Sequence, residues 1–96
     1  MTSCENLMVV AMEECSELAK AISKCMRFGI SNGNEHHVWT EYHQLQAMME
    51  MLSEQNLITP LSEDEARSII EHKKAKVQKY AVVSANAGYI SGEHNG

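Results

Sequence analysis

The chain has 96 residues, of which 44% are hydrophobic, 22% charged and 5% aromatic, a composition that fits one small globular domain. The net charge of −5 argues against a general nucleic-acid or anionic-membrane surface, which would need a basic excess. The sequence contains neither an apolar run approaching the ~20 residues of a membrane span nor a signal-peptide pattern, and its three Cys lack CxxC spacing. We therefore expect a protein of the reducing cytoplasm.

The first predicted helix extends from about Asn6 to Phe28. Its apolar residues recur at steps of three and four, which is typical of one helix face. These residues are Met8, Ala11, Cys15, Leu18, Ile22 and Cys25. Ser3 is the candidate N-cap, and Gly29 stands where a helix of this length would end.

A second predicted helix begins at Glu35 or His37 and ends near Asn56, before the Thr59-Pro60 pair. Its apolar face is formed by Val38, Tyr42, Leu45, Met49 and Leu52. The connection between the two helices is short and rich in turn residues, which favours an antiparallel hairpin.

A third, shorter helix is predicted to start at Ser62, which stands in capping-box spacing with Glu65, and to continue to about Tyr80 or beyond. The prediction is therefore an all-α domain over residues 1–83, followed by an irregular tail over residues 84–96. We expect two long antiparallel helices and the shorter third to form a bundle that is completed by oligomerisation, since a chain this small buries a modest core.

Oxygen-bearing side chains recur at matching positions of the first two helices. Glu14 and Glu17 are spaced i,i+3 on the first, and Glu41 and Gln44 are spaced i,i+3 on the second. At about 100° per residue, both pairs lie on the same rotational side of their apolar faces, so antiparallel packing brings them to one edge. Such a set of oxygens suits Mg²⁺ or Mn²⁺, although a solvated acidic face is the alternative.

Two neighbouring features are more ambiguous. Glu13 is exposed in the same helical projection; it could serve as an outer-shell base, but we expect it to be solvated. His37 and Glu41 are spaced i,i+4 and could share a metal, but a His36-His37 pair beside a turn is more typical of an exposed surface.

These residues resemble the MazG-like all-α nucleoside triphosphate pyrophosphatases, in particular their compact phage and bacterial members. That family carries Glu-x-x-Glu on one helix and Glu-x-x-Asp on the next. The similar segments are Glu13 to Leu18, Lys24 to Gly29, Glu41 to Leu52 and Lys73 to Tyr80. Gln44 departs from the pattern because it stands where the family has Asp.

The resemblance implies cleavage of an NTP or dNTP between the α and β phosphates, giving a nucleoside monophosphate and pyrophosphate. Catalytic roles are implied for Glu14, Glu17 and Glu41, which with Gln44 would hold Mg²⁺ or Mn²⁺. Phosphate or nucleotide binding is implied for Lys76, Lys73, Tyr80 and Arg27. For each of these four residues a solvated, structural or partly buried role is the alternative.

The resemblance also implies a homodimer or homotetramer in the cytoplasm of a bacterium or, if phage-encoded, of its host. Neither nucleic acid nor a membrane is expected as a partner. Two alternatives stay open: a non-catalytic MazG-like nucleotide-binding or interaction module in which Gln44 has replaced a metal-binding Asp, and a structural bundle with a solvated acidic edge.

Overall fold

The computed structural model describes residues 1–88. Within that range the chain forms three α-helices and no strand: α1 (Ser3–Phe28), α2 (Asn34–Glu54) and α3 (Glu63–Asn86). This confirms the all-α prediction. None of the helices in the described range is long and apolar enough to cross a membrane.

Helix α1 begins earlier than predicted, and its N-cap is Thr2 and not Ser3. The Thr2 Oγ1 accepts the backbone N–H of Glu5 at 3.0 Å, which satisfies one of the unpaired donors of the first turn. Gly29 ends the helix as predicted, and its N–H donates to the carbonyl oxygen of Cys25 at 2.9 Å.

The connection from α1 to α2 is held by side-chain and backbone hydrogen bonds. The Asn34 side-chain amide donates to the carbonyl oxygen of Gly29 at 2.8 Å, and the N–H of His37 donates to the carbonyl oxygen of Gly33 at 3.0 Å. Helix α2 ends at Glu54, slightly before the predicted end at Asn56, which adopts a positive φ of 60°. A tight connection of this kind fixes the start of α2 relative to the end of α1.

Gly29 provides the first testable prediction. Its φ of 91° and ψ of 165° lie in a region that only glycine occupies readily, so Gly29→Ala is expected to lower the free energy of unfolding by about 1–3 kcal/mol. Urea unfolding followed by circular dichroism measures the loss. Gly33→Asn is the control, because the φ of 84° and ψ of −6° at Gly33 are left-handed and Asn tolerates them. An equal loss in both variants would contradict the explanation.

Helices α1 and α2 pack as an antiparallel hairpin. Near the start of α1, Ala11 contacts Met48 and Leu52 from the end of α2 in the buried cluster. Near the end of α1, Ile22 and Cys25 share a surface groove with Val38 from the start of α2. Leu7, Val10 and Leu57 are partly buried against the cluster. The core of the hairpin is therefore built from few side chains, several of them small.

The face that α1 buries is only partly the predicted one: Ala11, Leu18 and Cys25 are buried or partly buried, whereas Met8, Cys15 and Ile22 are exposed. Ala21 is 1% exposed and Ala11 8%, whereas Ile22 is 53% and Met8 44% exposed. The small alanines allow the two helices to approach closely, and the larger apolar side chains stay outside. The packed face is thereby turned by about 50–60° from the centre of the predicted apolar stripe, towards Glu14.

Helix α2 is turned in the same sense. Met48 and Leu52 are buried, Val38 and Leu45 are partly buried, and Met49, which was expected in the interface, is exposed. The packed face of α2 is centred close to Glu41. The prediction of Tyr42 as part of the packed face is also wrong, since Tyr42 is exposed.

Helix α3 belongs to a second compact unit that begins at Leu61. The Ser62 cap is confirmed: its Oγ accepts the N–H of Glu65 at 3.2 Å and donates to Glu65 Oε1 at 3.3 Å. The helix has 24 residues against 21 in α2, so the prediction of a shorter third helix is wrong.

No helix-breaking residue follows until Gly88, so Ser84, predicted to begin the irregular tail, is still helical. Residues 89–96 of that predicted tail lie outside the described range.

Candidate functional site

Two glutamates lie on the packed faces of the hairpin. Glu14 is on the α1 face between Ala11 and Leu18, and Glu41 is on the α2 face between Val38 and Leu45. We call this contact region between α1 and α2 the seam. Both side chains are more buried than the sequence predicted, because the packed faces are turned towards them.

Each seam glutamate has one buried oxygen that lacks a hydrogen-bond partner within residues 1–88. The Oε2 atoms of Glu14 and Glu41 are buried, and neither makes a hydrogen bond to any described residue. Leaving a carboxylate oxygen buried and unpaired costs about 1–3 kcal/mol or more. Such atoms in a folded protein call for an explanation, and an ion or a ligand is one of the few available.

The other oxygen of Glu41 is bound within α2. His37 Nε2 lies 3.2 Å from Glu41 Oε1, one turn earlier on the same helix. The Glu41 side chain is 12% exposed and that of His37 is 43% exposed. The i,i+4 spacing of His37 and Glu41 was recognised in the sequence, but an exposed histidine surface was the favoured interpretation. In the structure His37 contacts the largely buried Glu41, whereas its neighbour His36 is exposed.

The remaining two predicted ligands flank the seam. Glu17 is about half exposed, and its Oε1 pairs with Lys20 Nζ at 3.2 Å. Gln44 is exposed on α2. Since the helices are antiparallel with Ala11 opposite Met48, both predicted pairs lie at the same level of the hairpin to within about one turn. Glu13 is exposed, in keeping with the expectation of a solvated side chain.

The donor atoms of these residues are of the kind that a divalent cation binds. Carboxylate and amide oxygens are the donors that Mg²⁺ and Mn²⁺ take, and two of the oxygens are buried without partners. Among residues 1–88, however, no group of three or more His, Cys, Asp or Glu side chains is already gathered around one point. The donor set therefore fits in kind, and in this structure Oε1 of Glu17 is paired with Lys20.

The predicted phosphate-binding residues of α3 form a separate feature of the surface. Lys76 and Tyr80 line an open groove along one side of the helix, together with His72, Ala75 and Lys79. Lys73 is exposed on the same helix but does not line the groove. The groove joins amines to an aromatic ring, a combination suited to phosphate and base contacts.

Arg27 is placed at the end of α1. Its guanidinium carbon lies 5.2 Å from the centre of the Phe28 ring, and the side chain is exposed in the last turn of the helix. A cation at this position interacts favourably with the helix dipole, so a structural role accounts for part of its presence.

One cluster was not predicted as a unit. The rings of Trp39, Tyr42 and His43 lie 5.2–6.2 Å apart, centre to centre, on the outer side of α2. Trp39 is 56% exposed, so it is not the core residue that a lone tryptophan usually is. The i, i+3 and i+4 spacing of these aromatic residues was the available signal.

Searches of protein-family models, of curated proteins and of solved structures found no match to this chain.

Proposed function

We propose that this chain is a metal-dependent nucleotide pyrophosphohydrolase that cleaves an NTP or dNTP between its α and β phosphates. The observation that carries the proposal is the pair of buried, unpartnered oxygens of Glu14 and Glu41 at the hairpin seam. Ligation of a cation by these atoms would offset the cost of burying them. The type of reaction is inferred from the resemblance of the acidic pattern to that of MazG-like enzymes.

In this proposal Glu14, Glu17 and Glu41 hold Mg²⁺, and the amide oxygen of Gln44 is a fourth, uncharged donor. Bound Mg²⁺ neutralises phosphate charge and acidifies an attacking water. The chain's own contribution is to hold the carboxylates at one level of two packed helices and to keep Glu41 out of bulk solvent. The amines of Lys76 and Lys73 are proposed to contact phosphate oxygens, with Arg27 and Tyr80 as further nucleotide contacts.

The proposed assembly is a homodimer or homotetramer. Large apolar side chains that the hairpin leaves exposed support it, because small monomeric domains rarely expose many of them along one helix. On α1 these include Met8, Met12, Ile22 and Met26.

Incubating the protein with a panel of NTPs and dNTPs in Mg²⁺ or Mn²⁺, and resolving the products, tests the reaction. Nucleoside monophosphate plus pyrophosphate is the expected result, and the panel also identifies the preferred base and sugar. Nucleoside diphosphate plus phosphate would contradict cleavage between the α and β phosphates.

A non-catalytic nucleotide-binding module is the second candidate, and the uncharged Gln44 favours it. Fewer charges at the site weaken binding of a hard cation. Gln44→Asp is expected to raise Mg²⁺ affinity about tenfold and to preserve or raise turnover of the wild-type enzyme. Calorimetric titration and product analysis measure the two effects.

Gln46→Asp is the matched control, because Gln46 is exposed on α2, away from the seam, and receives the same charge. If the wild type binds nucleotide without turnover and Gln44→Asp creates turnover, the binding-module function is correct. If Mg²⁺ and Mn²⁺ at millimolar concentration leave the thermal midpoint of the wild type unchanged, neither candidate holds and the acidic edge is solvated.

A further inference from the structure

The His37–Glu41 pair differs from the other polar contacts of the hairpin. The side-chain ion pair on α1, Lys20 with Glu17, joins two groups that are 71% and 48% exposed. In the His37–Glu41 pair the carboxylate is 12% exposed and one of its oxygens is buried. An exposed ion pair contributes little to the free energy of folding. Of these two pairs, the partly buried one is therefore expected to matter for the site.

Helix geometry sets the direction of this contact. His37 lies in the first turns of α2, where its backbone N–H donates to the carbonyl oxygen of Gly33 at 3.0 Å. Residues spaced i,i+4 are neighbours on a helix surface, so the imidazole reaches Glu41 without distorting the backbone. When Nε2 carries the proton it donates to Oε1, and the carboxylate then cannot rotate freely.

The contact with His37 also affects the second oxygen of Glu41, Oε2. With Oε1 held by His37, Oε2 is directed into the seam, where it is buried and has no hydrogen-bond partner among the described residues. A free glutamate would relieve this cost by rotating its carboxylate towards water, since the long side chain has several rotamers. The contact with His37 opposes that rotation.

We propose that His37 is a positioning residue: its hydrogen bond to Glu41 Oε1 keeps Oε2 in the seam, ready to ligate a divalent cation. The inference rests on the proposed metal site. Outer-shell partners of ligating carboxylates fix the orientation of the ligand, and their removal typically lowers metal affinity about 10–100-fold. Because Gln44 contributes no charge to the site, metal affinity depends more strongly on the orientation of the Glu41 carboxylate.

Mn²⁺ binding by the nucleotide-free protein tests the proposal, with free Mn²⁺ measured by electron paramagnetic resonance. His37→Leu, which cannot donate, is expected to weaken Mn²⁺ binding about tenfold or more. His37→Gln, whose amide N–H can donate to Glu41 across the same turn, is expected to retain affinity within about threefold of wild type. His36→Leu is the matched control, since His36 is exposed and its ring lies by Thr40.

The possible results separate this inference from the proposed function. If the wild type binds Mn²⁺ and His37→Leu binds it equally well, the positioning role is wrong and the proposed function stands. If His37→Gln loses as much affinity as His37→Leu while circular dichroism shows both to be folded, the hydrogen bond is not the cause. If the wild type binds no Mn²⁺, the metal site fails and the positioning role fails with it.

Discussion

Glu17→Ala is expected to abolish nucleotide hydrolysis, with a fall in kcat/KM of at least about 100-fold. Loss of a metal-ligating carboxylate removes several kcal/mol of transition-state stabilisation, and each 1.4 kcal/mol corresponds to about tenfold in rate. Glu17 is well suited to this test because it is half exposed and pairs with Lys20 at the surface. Its removal should change the free energy of unfolding by no more than about 0.5 kcal/mol.

The measurement is steady-state release of pyrophosphate from the preferred substrate, with circular dichroism to establish that the variant is folded. Glu13→Ala is the matched control, because it removes the same charge from an exposed position on the same helix. Lys20→Ala separates the two roles of Glu17, since it removes the surface pair and leaves the carboxylate. Normal turnover in Glu17→Ala would exclude Glu17 from the catalytic site.

Glu14→Met is expected to stabilise the metal-free protein. The substitution replaces a carboxylate, whose buried Oε2 has no hydrogen-bond partner in the part of the chain that the structure describes, by an apolar side chain of similar length. Relief of that desolvation should raise the free energy of unfolding by about 1–2 kcal/mol, or the thermal midpoint by roughly 4–16 °C. The same change removes a proposed ligand, so Mg²⁺ should no longer stabilise the variant.

Thermal unfolding with a chelator and with millimolar Mg²⁺ measures both effects on one protein. Glu13→Met is the control, and because its site is exposed it should shift the free energy of unfolding by no more than about 0.5 kcal/mol. A gain in stability together with a loss of activity would mark Glu14 as a residue kept for function at the expense of the fold. Destabilisation of the metal-free Glu14→Met protein would mean that the carboxylate has a stabilising partner, which contradicts our explanation of the buried oxygen.

The helices themselves follow from local signals in the sequence. Capping residues and glycines act over a few residues, so Ser62 and Gly29 predicted the start of α3 and the end of α1 correctly. Thr2 was missed as an N-cap because Ser3 beside it has the same chemistry, and only the backbone conformation distinguishes them. The end of α3 was placed too early because a run of small and polar residues was interpreted as a tail.

The rotation of the helices about their own axes was decided by the tertiary structure. The apolar arc of α1 is broad enough to bury Ala11 together with either Met8 and Ile22, as predicted, or Ala21, as observed, and periodicity alone does not choose between these rotations. Close approach of two helices favours the small pair. That choice moves Glu14 from the flank of the interface into the seam.

The sequence by itself predicted the all-α fold class correctly and proposed the candidate ligands, because helix periodicity and the Glu-x-x-Glu spacing are local properties of the chain. Only the tertiary structure decided which carboxylates are buried and how they are held. The burial of Glu41 depends on the α1–α2 contact, whereas its hydrogen bond with His37 is made within α2. Burial is a property of both helices together, since desolvation of a side chain on one helix is caused by the surface of the other.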